Sequence, residues 1–520
     1  MKQENYRFGR YISKDNDSRW ADSSEIKNAA TIMQINLEKE DCKSGGIPII
    51  SDGRTAYIDH SDTHTIIFGS TGSKKTRLFG MPLINILAMA GESFIATDPK
   101  GELYNRTSGL VATKGYKTIV LNFRDLNQSD FWNPLILPYV LWHTGYIDEA
   151  VSLINDFITA LAEPQRKGSN DPYWIEMACS QILANMLFFI DTASLEEANV
   201  YNFANFSVSK SDPISMGEIS KLVAEGSIAN INYKSILTNK NAWMTFASVS
   251  STATSLLKPF IVRKSLCQML SQNSFDIRGL GQEKSAIYII IPDEKTTLHF
   301  LVAAFVKQTY EALINEAQKL DNKRLPIRLN FVLDEFCNIP TIPDMASMIS
   351  AARSRNMRFF IMAQSMWQLK QKYKEDAETI KGNCDNWVFL TSREYNLLKE
   401  ISNLCGDTFY KESDGSIKSR PLISISELQR LKKEYGETLI LHGRNYPFVT
   451  ELPDISKYKF KIYPSAKKQE QQLPQIKRYD VDKVIREIKD KKRPVPCSME
   501  VNGEKTVLRD KILKHNKNIM

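Results

Sequence analysis

His64-Thr65-Ile66-Ile67-Phe68 is a short, mostly apolar run that opens directly onto Gly69-Ser70-Thr71-Gly72-Ser73-Lys74-Lys75-Thr76. Beyond it, Leu78, Phe79, Leu83, Ile86, Leu87 and Met89 recur at helical spacing between Thr76 and Ala90. A buried strand, a glycine-containing turn and a helix N-terminus in that order demand a sheet with helices packed on it. They also aim backbone N–H groups and the positive end of a helix dipole at an anion. The eight residues meet the phosphate-loop pattern G-x-x-x-x-G-K-[ST] at Gly69, Lys75 and Thr76, but Lys74 stands where the last glycine belongs. A side chain there strains the loop by about 1–3 kcal/mol if φ is positive. It also sets a second ammonium beside the phosphates, which favours binding but can misplace Lys75. The loop names nucleotide chemistry, and its one defect falls where that chemistry is done.

The same alternation continues downstream. Ser93–Thr97 reads as a second buried strand ending at Asp98-Pro99-Lys100-Gly101-Glu102, and Lys117–Asn122 as a third. Further strands are expected at Ala286–Ile291, Leu329–Leu333, Arg358–Met362, Asn386–Leu390 and Thr438–Leu441. Strands alternating with helices predict an α/β fold with a mainly parallel sheet. Between them the pattern changes: Ile147, Ala150, Val151, Ile154, Ile158 and Leu161 recur at helical spacing, as do Trp174, Met177, Ala178, Ile182, Leu183, Met186 and Leu187. The expected organisation is an N-terminal extension over 1–62, a discontinuous nucleotide-binding domain over 63–136 and 260–460, an inserted all-α domain over 137–259, and a basic tail over 461–520.

Composition narrows the class. A chain of 520 residues, 42% hydrophobic and 25% charged, has room for two or three packed domains and is neither fibrous nor disordered in character. Its seven cysteines form no C-x-x-C pair, which argues against a zinc site or a disulfide framework. The polar start, Met1-Lys2-Gln3-Glu4-Asn5, does not read as a secretory leader, and no apolar run reaches the roughly 18–20 residues of a membrane span. A cytoplasmic chain with reduced thiols is expected. From Ala466 to Met520, fifteen Lys or Arg face eight Asp or Glu, nearly the whole net charge of +8. Such a tail is either an arm for nucleic acid or an acidic membrane face, or a solvated, partly helical segment.

Asp334-Glu335, after the apolar run Leu329–Leu333, supplies the second half of a nucleotide site. A strand end there places Asp334, with the Thr76 hydroxyl, to hold Mg²⁺, and Glu335 to act as general base on the attacking water. Alone, the pair is an ordinary strand-to-loop junction; the upstream loop with Lys75 decides for catalysis. Gln364 closes the next strand on the ligand side, placed either to orient water or merely to cap the strand. Arg353 and Arg355 precede that strand, as solvated arginines or as arginine fingers reaching a neighbouring subunit's nucleotide.

Taken in order, Gly69–Thr76, Thr97–Tyr104 with Asn133-Pro134-Leu135, Leu333–Asn338 with Ile342-Pro343, and Ala352–Arg355 through Gln364-Ser365 to Gly382–Asp385 resemble the coupling proteins of type IV secretion and conjugation systems, the TraG/TraD-type DNA-transfer ATPases. The likeness runs from about Arg19 to Leu452. It implies a RecA-like P-loop NTPase with an inserted all-α domain, using ATP and Mg²⁺ and assembling as a hexamer. It also implies relaxase-linked single-stranded DNA as cargo, and relaxosome and secretion-channel proteins as partners. Members usually begin with transmembrane helices, so docking at the inner face of the membrane would here fall to a partner membrane protein. Two other readings stay open: a hydrolysis-deficient nucleotide-binding adaptor for DNA or protein cargo, and a DNA pump or helicase of the same class.

Overall fold

The computed structural model describes residues 18–166, 172–238, 243–411, 413–414, 416–466, 468 and 473–498. Residues 1–17 and 499–520, the outer ends of the expected N-terminal extension and basic tail, lie outside the described residues.

Fourteen strands are described: β1 (Ile32–Asn36), β2 (Ile47–Ser51), β3 (Thr55–Asp59), β4 (Thr65–Gly69), β5 (Ser93–Asp98), β6 (Lys117–Asn122), β7 (Ser285–Ile290), β8 (Leu329–Leu333), β9 (Met357–Ala363), β10 (Asn386–Thr391), β11 (Asp407–Lys411), β12 (Ile417–Pro421), β13 (Glu437–His442) and β14 (Phe448–Glu451). Nine form one sheet in the order β14-β13-β10-β4-β9-β8-β5-β7-β6. The seven strands from β10 to β6 are mutually parallel, while β13 and β14 join one edge antiparallel. Strands β4, β5, β7, β8 and β9 are buried along their whole length, as a parallel sheet covered on both faces requires. Their continuous apolar runs follow from that burial.

Chain order and sheet order part company where it matters. β8 and β9 sit between β4 and β5, so the loops leaving β4, β5, β8 and β9 gather on one edge. A crevice beyond the carboxyl ends of parallel strands is where such sheets take ligands.

The helical insertion runs from Ile136–His143 through Lys264–Met269, followed by a 3-10 turn at Ile277–Gly281, and the sheet resumes only at Ser285. Helix continues beyond residue 259 in Pro259–Val262 and Lys264–Met269, which are too short to show a period in the sequence. Ile147–Arg166 buries Ala150, Leu153, Ile154, Phe157, Ile158 and Leu161 along one face. Its neighbours start on side-chain caps: Asn199, Asp212 and Ser227 each accept N–H bonds from the first turn that follows. Tyr173–Thr192 is long and apolar enough to cross a membrane by length and composition, contrary to the reading of the bare sequence, where Glu176, Ser180, Gln181 and Asn185 interrupt the run. It is the core helix of this domain, with Ile182, Met186, Leu187, Phe188 and Phe189 fully buried.

Two polar knots fasten the helical domain to the sheet. Asn133 Nδ2 donates to the Ala198 carbonyl at 2.7 Å, and Gln308 Nε2 donates to the Pro134 carbonyl at 2.8 Å. The buried Lys307 ammonium meets Glu311 at 2.7 Å, Asp344 at 2.8 Å and, across the domain boundary, Asp156 at 3.7 Å. Unpaired, that charge would cost several kcal/mol to bury.

Residues 18–62 are more than an extension. Ser23–Asn28 is a helix closed by an Asp22/Glu25 capping box, and β1, β3 and β2 form an antiparallel three-stranded sheet. Ile35, Leu37, Ala56 and Ile58 pack there against Ile86 and Tyr458, contacts no local periodicity reveals.

The basic tail also folds back. Tyr104 Oη donates to the Ala466 carbonyl at 2.8 Å, Ser465 Oγ donates to the Asn105 carbonyl at 2.6 Å, and a Cβ on Gly109 would fall 2.1 Å from the Pro464 carbonyl. Further on, Tyr479 packs its ring on Phe189 and Phe206, and the helix Val481–Lys489 buries Val481, Val484, Ile485 and Ile488 against the helical domain. Lys489 pairs with Glu218, and Arg493 donates to Glu487 and to the Thr192 carbonyl. Over 473–498 the tail is a docked strap, with much of its charge engaged within the chain.

Candidate nucleotide site

Strand β4 ends at Gly69, and the chain turns through Ser70–Lys75 into a π-helical turn, Thr76–Gly80, and the helix Met81–Ala90. A side chain at Gly69 would begin 2.4 Å from Ser73 Oγ, so any larger residue would have to displace that hydroxyl. Gly72 and Lys74 both take positive φ, 73° and 69°. Lys74 thus holds the left-handed backbone that glycine adopts without penalty, the condition under which the sequence reading attaches strain to it. The loop keeps its fold despite the lysine. Lys75 is buried, and its Nζ donates to the Gly69 carbonyl at 2.6 Å while lying 3.8 Å from Glu335 Oε1.

The carboxylates arrive from β8. Asp334 is fully enclosed, and its Oδ2 accepts from Thr76 Oγ1 at 2.6 Å. Its own carbonyl accepts from Thr97 Oγ1 at 2.8 Å, which clamps β8 to β5 at this edge. Burial raises the Asp334 carboxyl above the ordinary range, reinforced by the Glu335 charge and opposed by the Thr76 hydroxyl and Lys75. Glu335 follows at φ 51°, a left-handed residue that turns the chain sharply so that its side chain reaches back over the loop. Gln364, closing β9, bridges the halves: its Nε2 donates to Glu335 Oε2 at 2.5 Å, and its Oε1 accepts from Thr71 Oγ1 at 3.2 Å.

The structure therefore brings Gly69 to Thr76, Asp334, Glu335 and Gln364 together on one edge. Arg353 and Arg355 are not among them. They form a 3-10 turn ahead of β9; Arg353 acts on His64, the residue just before β4, and pairs with Asp385 at 3.1 Å. A seven-residue strand separates them from Gln364, roughly 20 Å at ordinary strand rise. Within one chain neither arginine reaches the loop.

Asp98 is the site residue that motif reading passed over. It ends β5, is buried, and accepts the Tyr104 N–H at 2.9 Å. Burial raises its carboxyl to about 6, with the nearby Asp334 charge adding and the Tyr104 and Leu103 amides opposing. The available signal was positional: Asp98 closes a strand directly beside β8, at the same edge.

The residues suit a magnesium nucleotide. Thr76 and Asp334 offer two oxygens side by side, few enough for Mg²⁺, which keeps waters and phosphates in its shell. Among the described residues no cluster of three or more His, Cys, Asp or Glu forms a metal cage. Ser73 Oγ is buried without a hydrogen-bond partner, and Lys75 needs only leave a carbonyl to meet an anion.

Comparisons with known proteins bear on the fold and the family. The fold matches that of the bacterial conjugative coupling protein TrwB, truncated by 70 N-terminal residues and unbound, at 15% identity and a TM-score of 0.61, covering 88% of this chain and 95% of that one. TrwB in complex with the non-hydrolysable ATP analogue ADPNP matches at 15% identity and 0.61, covering 89% and 98%. TrwB in complex with ADP and Mg²⁺ matches at 14% and 0.59, covering 88% and 97%. Curated protein sequences give no match. At such identities the structures establish the fold alone: a RecA-like, mainly parallel α/β sheet with a helical domain. Residues 19–433 match the family described as type IV secretory system conjugative DNA transfer, and with most of its length inside that match the chain belongs to this family.

Proposed function

We propose that the chain is the ATP-hydrolysing coupling subunit of a conjugative DNA-transfer system. The observation that carries this reading is the Gln364 bridge, which joins Thr71 of the phosphate loop to Glu335 while Thr76 and Asp334 meet beneath it. A phosphate-sensing residue, a base and a metal-holding pair are then in mechanical contact. TrwB, solved with ADPNP and with ADP and Mg²⁺, supports the choice of ligand.

In this mechanism the amides from Ser70 to Thr76 cradle the phosphates, and Lys75 exchanges the Gly69 carbonyl for phosphate oxygens. Thr76 and Asp334 hold Mg²⁺, which neutralises charge developing on the phosphate oxygens. Glu335 accepts the proton of the attacking water, and Gln364 orients that water through its bond to Glu335. Arg353 and Arg355 complete the site of an adjacent subunit, consistent with a hexameric ring. Relaxase-linked single-stranded DNA, delivered to secretion-channel proteins, is the cargo, and the chain works in the cytoplasm at the inner membrane face through a membrane-protein partner. The left-handed Lys74 favours one competing reading, an adaptor that binds nucleotide without efficient turnover.

Steady-state ATP hydrolysis with and without single-stranded DNA tests this. Turnover stimulated by DNA and reduced by about 10²-fold or more in Glu335→Gln is the expected result. Silence in the native chain with turnover gained in Lys74→Gly would establish the adaptor instead.

A further inference from the structure

A third lysine stands at the phosphate loop, supplied by a part of the chain remote from every motif. Lys433 opens the 3-10 turn Lys433–Tyr435, immediately ahead of β13. Because β13 runs antiparallel to β10, its beginning lies on the edge where the parallel strands β10 and β4 end. The phosphate loop leaves β4 at that edge and is tied to β10 by the Ser70 N–H, which donates to the Thr391 carbonyl at 2.9 Å. Topology thus carries Lys433 to the loop. Its Nζ lies 3.6 Å from the point where a side chain on Gly72 would begin.

The turn is built to stay there. Glu437 accepts the Lys432 N–H at 2.7 Å, and the Glu437 and Gly436 N–H groups donate to the carbonyls of Lys432 at 3.1 Å and Lys433 at 3.2 Å. Lys433 itself is exposed, and among the described residues no carboxylate pairs with it. Lys75, by contrast, is committed to the Gly69 carbonyl and lies near Glu335. An unengaged ammonium, held by a closed turn over Gly72 of an anion-binding loop, has a ready use in a polyanion.

We propose that Lys433 is a polyphosphate contact of the nucleotide site, reaching over the loop from the antiparallel edge of the sheet. This rests on the nucleotide-binding reading above. An exposed ammonium acting on phosphate oxygens is worth up to about fivefold in affinity, and the effect weakens with salt.

The test is titration of the full-length chain with a fluorescent, non-hydrolysable ATP analogue and Mg²⁺ at low and high salt. Native protein, Lys433→Ala, Lys433→Arg and Lys75→Ala are compared, with thermal midpoints as a folding control. Lys433→Ala should bind about three- to fivefold more weakly at low salt with an unchanged midpoint, Lys433→Arg should stay within about twofold of native, and the deficit should shrink at high salt. Native-like affinity in Lys433→Ala, while Lys75→Ala is impaired, would overturn the assignment of Lys433 and leave the nucleotide site standing. Failure of the native chain to bind would overturn both.

Discussion

At φ 69°, Lys74 holds a backbone conformation that costs an L-residue about 1–2 kcal/mol, and the rest of the loop imposes it. Lys74→Gly should therefore raise stability by up to about 1 kcal/mol, less whatever unfolded-chain freedom glycine adds, and should raise kcat more than affinity. Denaturant midpoints and steady-state kinetics check both. Asp98 makes a second prediction. The folded carboxyl loses its proton at about 6 because it is buried beside Asp334, whereas in the unfolded chain it does so at about 4. The folded state binds the extra proton between those values, so stability falls as pH rises from 4 to 6 and the cost is complete above 6. In nucleotide-free protein, Asp98→Asn should flatten that slope and gain up to about 2 kcal/mol at pH 8. Asp156, also raised to about 6 by burial, leaves a residual slope of the same sign. Lys74 was legible because its motif fixes a backbone angle. Asp98 was not, since its role comes from the strand beside it in space.

At the scale of elements, the strap binds through few residues. Val484, Ile485 and Ile488 cover the helical domain where Tyr479 has already packed on Phe189 and Phe206. Ile485→Ala should cost about 2–4 kcal/mol of that docking. Hydrogen exchange would then show lost protection over Val481–Lys489 while β4 and β8 stay protected, and protease cleavage after residue 466 would quicken. The buried parallel strands were readable because burial on both faces demands unbroken apolar runs, as in Ile287–Ile291 and Phe359–Ala363. The three-stranded sheet of residues 32–59 was not, because its strands are only five residues long and two of them break the apolar run with Gln34, Asn36, Thr55 and Asp59. The strap was legible only as charge, since its apolar face has four residues and its partners lie almost 300 positions earlier.

At the scale of the whole molecule, the edge where the parallel strands end carries Gly69–Thr76, Asp334, Glu335 and Gln364, and the opposite edge carries Arg353 and Arg355. In the sequence those arginines read as solvated side chains or as fingers reaching a neighbouring subunit; the parallel sheet sets them a strand length away from their own chain's phosphate loop. In the proposed function the site works between copies of this chain. Mixing inactive variants tests it most directly: Glu335→Gln, which keeps its arginines, with an Arg353→Ala/Arg355→Ala double variant, which keeps its nucleotide edge, in single-stranded DNA and Mg-ATP. Little hydrolysis from either variant alone and restored hydrolysis in the mixture, strongest near equal proportions, is the expected result. A mixture as silent as its components, or a double variant with native turnover by itself, would contradict it.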